Sequence, residues 1–316
     1  MKFMSHVMAC TALLLAADLA CAQDYPNKLV RIITAEAGSP NDIAARIIAQ
    51  GISEPLGQSV IVDNRAGVLA AEAAVKAAPD GYTLLVYGPT LWLLPFLRDG
   101  VAWDPIKDFA PVAWATRSPN ILVVHPDLAA KTVAELIALA KAKPRALNYG
   151  SGATGSSNHL AAELFKSLAG IDIVRVPYKG TPSAVNAIVS NEVQLMFPDI
   201  GVSLPLVRAG RLRALAVTSA APSPLAPGIP TLASSGLPNY ESEALFGMFA
   251  PAKTPTAIVN RLNQEARRVL ARADVREKLY SVGVEPVPSS PAEFAAKINA
   301  EMAKWGKLIK EAGIHE

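Results

Sequence analysis

Asn148-Tyr149-Gly150-Ser151-Gly152-Ala153-Thr154-Gly155-Ser156-Ser157-Asn158-His159-Leu160 reads as a short strand that breaks into a Gly/Ser/Thr loop and opens directly into a helix. Gly150, Gly152 and Gly155 let the backbone come close to a ligand, while Thr154, Ser156 and Ser157 offer hydroxyls and a cap. A helix start leaves its first N–H groups unpaired and carries about half a positive charge, so such a loop can hold a carboxylate or phosphate without a buried Arg or Lys. The same design occurs at residues 36–43 and 179–187.

Around these loops the chain alternates strand and helix, which predicts parallel sheets. Strands are expected at residues 29–33, 59–62 and 82–87, then at 121–124, 147–149, 173–176, 193–197 and 212–218. Ser39-Pro40-Asn41-Asp42 and Thr132-Val133-Ala134-Glu135 read as capping boxes, followed by a helix with the stripe Ile43, Ile47, Ile48, Ile52 and by one running to Ala142. An Ala-rich helix is expected at 69–78, and others start near Ser156 and Pro182. Helices at 255–271, 274–281 and 291–312, the last capped by Ser290 and Glu293, bring no new strands and are expected to pad the first sheet. The chain then crosses between two domains twice, near residues 112–126 and 220–246. The expected division is residues 23–124 plus 245–316 for domain 1 and 125–244 for domain 2.

Residues 1–22 read as a secretory signal: Lys2, an apolar stretch over residues 7–17, and Ala20-Cys21-Ala22 as a small-x-small cleavage site. Leu19-Ala20-Cys21 has the outline of a lipoprotein signal, but Asp18 stands where an aliphatic residue belongs. Both cysteines, Cys10 and Cys21, lie in this segment, so the mature chain is expected to have no disulfide and no Cys metal site. A content of 51% hydrophobic and 18% charged residues fits well-filled α/β cores and excludes a disordered chain. The net charge of +3 is dispersed, which argues against nucleic-acid binding. Arg261, Arg267, Arg268 and Arg272, interleaved with Glu265 and Asp274, read as a solvated helix face.

Gly150, Gly152 and Gly155 need weighing against two other chemistries. Gly150-x-Gly152-x-x-Gly155 spells the dinucleotide fingerprint, with Asp172 at about the right separation. A ribose-binding acid belongs at the C-terminal end of the next strand, however, and Asp172 precedes residues 173–176. For catalysis, the mature chain holds only His125, His159 and His315, and no H-E-x-x-H, G-x-S-x-G or P-loop. An exported hydrolase-like enzyme using His159 or Asp199 as base remains the alternative, with His159 read first as a hydrogen-bond partner.

Tyr178-Lys179-Gly180-Thr181-Pro182 repeats the loop design, with Thr181 as cap and Tyr178 and Lys179 adding a ring and a charge. Asp199, after the strand at 193–197, either meets a ligand ammonium or hydroxyl or caps a turn. Glu36 would repel an anion unless it turns away or pairs with a cationic group, and so marks an amino-acid-like ligand.

The chain resembles the tripartite tricarboxylate transporter substrate-binding proteins, the Bug family, over nearly all of the mature sequence. The residues that carry the resemblance are Tyr25-Pro26, Asn64-Arg65, the run Ala77-Ala78-Pro79-Asp80-Gly81-Tyr82-Thr83-Leu84, and residues 104–112, 147–160, 176–180 and 212–218, with Trp305-Gly306-Lys307 near the end. The resemblance implies a two-domain α/β periplasmic-binding-protein fold of type II, each domain a mainly parallel sheet flanked by helices with the ligand cleft between. It also implies a monomeric periplasmic receptor, without cofactor or metal, that closes on a small organic acid and presents it to a membrane permease. The acid's class is a di- or tricarboxylate, an aromatic acid or an acidic amino acid. Where the family usually carries a proline followed by an A-G-G-G-T-D run, this chain has Glu36-Ala37-Gly38-Ser39-Pro40-Asn41-Asp42, and the Gly-rich loop after Asn64-Arg65 is shortened to Ala66-Gly67-Val68-Leu69-Ala70. Fewer glycines mean less backbone access on this side. The candidate ligand-binding residues are Ala37, Gly38, Ser39, Tyr87, Gly88 and Thr90 in the first domain. In the second they are Ser151, Gly152, Thr154, Gly155, Ser156 and Ser157, then Tyr178, Lys179, Gly180, Thr181 and Asp199; none is catalytic.

Overall fold

A computed structural model describes residues 25–65, 67–152, 154–178 and 180–315; the segment expected to be an export signal, Ala66, Ala153 and Lys179 lie outside them. Along the chain, β1 (Val30–Thr34), α1 (Pro40–Leu56), β2 (Val60–Asn64), α2 (Leu69–Val75), β3 (Thr83–Tyr87) and α3 (Thr90–Leu97) lead into the long β4 (Phe109–Pro119). There follow β5 (Ile121–Val124), α4 (Val133–Ala142), β6 (Asn148–Ser151), α5 (Ser157–Ala169), β7 (Val174–Pro177), α6 (Thr181–Val189), β8 (Leu195–Met196), α7 (Ile200–Arg208) and β9 (Arg213–Val217). The chain closes with β10 (Glu243–Pro251), α8 (Thr256–Ala271), α9 (Ala273–Ser281), β11 (Glu285–Pro286) and α10 (Pro291–Glu311). No helix among the described residues is long and apolar enough to cross a membrane.

Two sheets result, in the orders β11-β4-β10-β3-β1-β2 and β7-β6-β8-β5-β9. β1 to β4 share one direction in the first and β6 to β9 in the second; only β10 and β11, and β5, run against their neighbours. The reversed strands have a topological cause. β4 leaves the first sheet at its C-terminal edge and continues through the single residue Asn120 into β5, which therefore enters the second sheet backwards; β9 returns to β10 in the same way. Both crossings thus lie on the C-terminal edges of both sheets, and those edges face each other. The crossings are tied side by side. Asn120 N–H donates to Thr218 Oγ1 at 2.8 Å, Thr218 N–H to Asn120 C=O at 3.0 Å, and Ser242 N–H to Thr218 C=O at 2.9 Å.

Residues 121–124, assigned to domain 1 from sequence, pair with β8 and β9 in the second sheet. The break comes at Pro119, which pairs with Glu243 but has no N–H with which to extend the ladder. β4 itself was read as a crossing segment. Pro111 sits at a bulge where the register against β10 slips between Met248 and Phe249.

α3 and α7 were not anticipated, and each carries an internal proline, Pro95 and Pro205. The carbonyl that Pro95 deprives of its helical donor belongs to Leu91, and the Trp103 indole N–H supplies the bond instead, at 2.8 Å. α8 and α10 pad the first sheet. At Gly247 of β10 a Cβ would fall 2.0 Å from Phe294 Cζ, so only glycine lets α10 seat that ring on the sheet. Phe294 and Phe249 pack with centroids 5.0 Å apart, each fully buried ring being worth roughly 1.5–3 kcal/mol. One apolar cluster runs from this face through Trp92 and Leu97 to Phe165 of α5 and Phe197 just after β8, so α5 shares its core with both halves. Tyr240 OH pins α5 by donating to Ala161 C=O at 2.7 Å.

Candidate functional site

The facing sheet edges gather the loops singled out in the sequence. On the first edge, the loop after β1 is held by a polar knot. Asp42 accepts from Gly38 N–H at 2.8 Å, from Arg46 Nε at 3.0 Å and from Asn64 Nδ2 at 2.8 Å, and Asn64 also donates to Ala35 C=O at 2.8 Å. Burial pushes the Asp42 pKa up, but these hydrogen bonds outweigh it and hold the carboxyl below its ordinary value. Ser39 Oγ accepts from Asp42 N–H as the cap of α1, while the Asp42 carboxylate reaches Gly38 rather than closing a box on Ser39. The Gly38 N–H is therefore already used. Ala37 is exposed beside it.

Glu36 meets no cation among the described residues: its Oε1 accepts from Gly67 N–H at 2.6 Å, stapling the loop after β1 to the loop after β2. Tyr87 OH donates to Gly67 C=O at 2.7 Å, and burial, with the Glu36 charge second, pushes its pKa up to about 12. Gly88 is buried, a Cβ there falling 3.0 Å from the Phe246 ring and 3.3 Å from Asn41 Oδ1, and Thr90 opens α3 on the surface.

On the second edge, Arg175 of β7 braces the Gly-rich loop from behind. Its guanidinium donates to Ser151 Oγ at 2.8 Å, Gly152 C=O at 3.0 Å and Thr154 Oγ1 at 3.3 Å. Asn158 ties the loop from the helix side. Its Oδ1 accepts from Gly152 N–H at 3.0 Å and Ser156 Oγ at 2.7 Å, and its Nδ2 donates to Thr181 Oγ1 at 3.1 Å, joining the start of α5 to the start of α6. This corrects two expectations. Ser156 stands at the cap position of α5 but gives its hydroxyl to Asn158, and Gly180, not Thr181, is the cap residue of α6. The N–H groups of Ser157 and Asn158 in the first turn of α5 have no acceptor among the described residues.

Gly155, at φ 74°, donates its N–H to His159 Nδ1 at 3.1 Å. Burial first, then the nearby Arg175 charge, lowers the His159 pKa to about 4, so the ring is neutral and its acceptor nitrogen is spent. A base role is thereby removed. Tyr178 N–H pairs with Ser151 C=O at 2.9 Å, and its hydroxyl donates to Glu192 at 2.8 Å. Asp172 lies at the opposite end of β7, ion-paired with Arg145 at 3.7 Å, which leaves the glycine pattern without its ribose acid. Asp199 follows β8 on the same edge as the Gly-rich loop, at the start of α7, without a capping bond.

The edges touch through glycine. A Cβ on Gly155 would lie 2.3 Å from Leu97 Cδ1 of α3, and one on Gly201 would lie 2.8 Å from the Val282 carbonyl. Among the described residues no group of three or more His, Cys, Asp or Glu is placed to hold a metal. Arg175, Asn158, Asp42 and Asn64 were not foreseen; an Arg inside the apolar strand Val174-Arg175-Val176 was the one local signal.

Comparison with known proteins places this geometry among receptors. The family model described as tripartite tricarboxylate transporter family receptor matches residues 44–314. Protein BugT of Bordetella pertussis is 32% identical over 298 residues, covering 92% of this chain and 91% of its own length. The solved structure of R. palustris Rpa4515 with adipate superposes with a TM-score of 0.80 at 38% identity, covering 92% of this chain and 99% of the other. MatC from Rhodopseudomonas palustris with bound malate gives 0.75 at 31%, covering 90% and 100%.

Proposed function

The chain belongs to the tripartite tricarboxylate transporter receptor family, and from that premise we propose that it is an exported receptor that binds a small organic carboxylate between two lobes and hands it to a membrane permease. Residues 1–22 act as the export signal to the periplasm, and the mature chain works as a monomer. Its lobes divide at Asn120 and near Ser242, the adjustments being that Ile121–Val124 goes with the second and Glu243 and Ala244 with the first. The observation that carries this reading is the Asn158 bridge between the starts of α5 and α6, which holds two helix N-termini side by side. Thr154, Ser156, Ser157, Lys179, Gly180 and Thr181 form the carboxylate end, and Ser151, Gly152, Gly155 and Tyr178, whose donors are already engaged, shape it. Ala37, Ser39, Gly88 and Thr90 close over the rest of the solute, with Gly38 and Tyr87 shaping that wall.

Rpa4515 was solved with adipate and MatC with malate, which supports a carboxylate as the solute class here. A few charge-assisted hydrogen bonds at roughly 1.5–3 kcal/mol each reach micromolar affinity, about 8 kcal/mol, after ordering costs. Binding proceeds without chemistry. Thermal melting of the purified protein against a panel of organic acids is expected to show a rise in melting temperature with some of them, and mass analysis to recover each acid unchanged. Turnover of an acid, or no shift across the panel, overturns the reading.

A further inference from the structure

Beside the donor-rich loops, on the same sheet edge, the crossing between the lobes presents acceptors. Asn120 and Asp199 face each other as an antiparallel bridge, which sets their side chains on one side of the sheet, about 5 Å apart at Cβ. Asn120 is fully buried, and its amide can be oriented without ambiguity. Nδ2 donates to Phe197 C=O at 2.8 Å, so Oδ1 must point the other way, where it is buried without a partner. The Asp199 carboxylate makes no hydrogen bond or ion pair with another described residue, and no described cation offsets its burial, which pushes its pKa up. The buried amide oxygen is costly unless a donor arrives, and the part-buried Asp199 carboxylate beside it has no bond beyond its own backbone to compete for that donor.

Resting on the receptor reading above, we propose that Asn120 Oδ1 and the Asp199 carboxylate form a donor-binding subsite, so that the solute is a carboxylate carrying an ammonium group. The second lobe thereby sorts the solute's two ends. Helix starts at α5 and α6 take the carboxylate, and the crossing takes the cationic nitrogen. A plain dicarboxylate directed to the same place would set its second charge against Asp199, and rejection follows from that repulsion. Because Asn120 is the single residue between β4 and β5, an ammonium held there also anchors the solute at the point about which the lobes turn.

Calorimetric titration of the purified protein with succinate, malate and aspartate, and with glutarate, 2-hydroxyglutarate and glutamate, tests the subsite at constant skeleton length. The amino member of at least one series is expected to bind at least about tenfold more tightly than the unsubstituted diacid. Asp199→Asn, nearly isosteric, is expected to remove most of that preference while leaving the unsubstituted diacid equal or tighter. Asp199→Ser, which keeps a small polar residue at the start of α7, is expected to do the same. Binding without preference for the amino member, a preference for the hydroxy member over it, or a preference that survives both substitutions overturns the subsite and leaves the receptor reading standing. Failure of all six acids and of the wider panel to bind removes both.

Discussion

Buried against the first turn of α5, His159 accepts from Gly155 N–H through Nδ1, with its pKa lowered to about 4 by burial and the neighbouring Arg175 charge. The unfolded chain binds a proton near pH 6.5, and the folded one does not until about pH 4. Stability from this group is therefore complete above pH 6.5 and is lost as pH falls toward 4, by about 3 kcal/mol in all. His159→Asn keeps an acceptor for Gly155 and removes the titration. Denaturant unfolding at stepped pH is expected to show a shallower fall for the variant across pH 6.5 to 4. An unchanged slope would mean that the imidazole is not neutral in the folded protein.

The elements meet where side chains are absent. Gly155 combines a left-handed backbone with Leu97 pressed against its Cα, and Gly201 lies against Gly283 and the Val282 carbonyl, so loops of one lobe approach helices and turns of the other without intervening side chains. Gly155→Ala is expected to cost about 1 kcal/mol of stability for the backbone alone. It should also weaken acid binding about tenfold, because closure must now displace Leu97. Leu97→Ala in the same chain vacates that space and should recover part of the affinity but not the backbone cost. Calorimetric binding of the single and double variants checks this, and equal affinity in wild type and Gly155→Ala would show that α3 and the loop need not meet in the bound state.

For the molecule as a whole, the ladder of β4, β10 and β11 beside the crossings carries a buried charge network. Arg117 pairs with Glu285 at 2.9 Å and with Glu243 at 3.6 Å, with Glu241 and Lys297 close by. Burial outweighs the pull of Arg117 and pushes the Glu243 pKa up to about 7. Here the sign is the reverse of that at His159. The folded state holds a proton that the unfolded chain releases near pH 4.5, so stability is greatest below pH 4.5 and declines as pH rises to about 7. Glu243→Gln should abolish this decline and leave the variant more stable than wild type at pH 8 by about 1–3 kcal/mol. Unfolding free energies at pH 4.5, 6 and 8 decide it, and a variant less stable at pH 8 would show that the ion pair with Arg117 outweighs its burial.

What was legible in the sequence was local: alternating strands and helices, the Ser39 and Ser290 caps, and glycine loops opening helices, all set by propensities acting over a few residues. A two-lobed α/β architecture followed from those signals. Tertiary structure alone decided which groups those loops leave free. Arg175 and Asn158 consume the hydroxyls of Ser151, Thr154 and Ser156, Asp42 consumes Gly38, and Gly67 consumes Glu36, through partners 2 to 31 residues away in the chain. It also placed Pro111 at a bulge and Pro119 at the lobe boundary, and set Asp199 beside Asn120. The physical reason is that a hydrogen bond's partner is fixed by proximity after packing, whereas a cap or a turn is fixed by the chain's own neighbours.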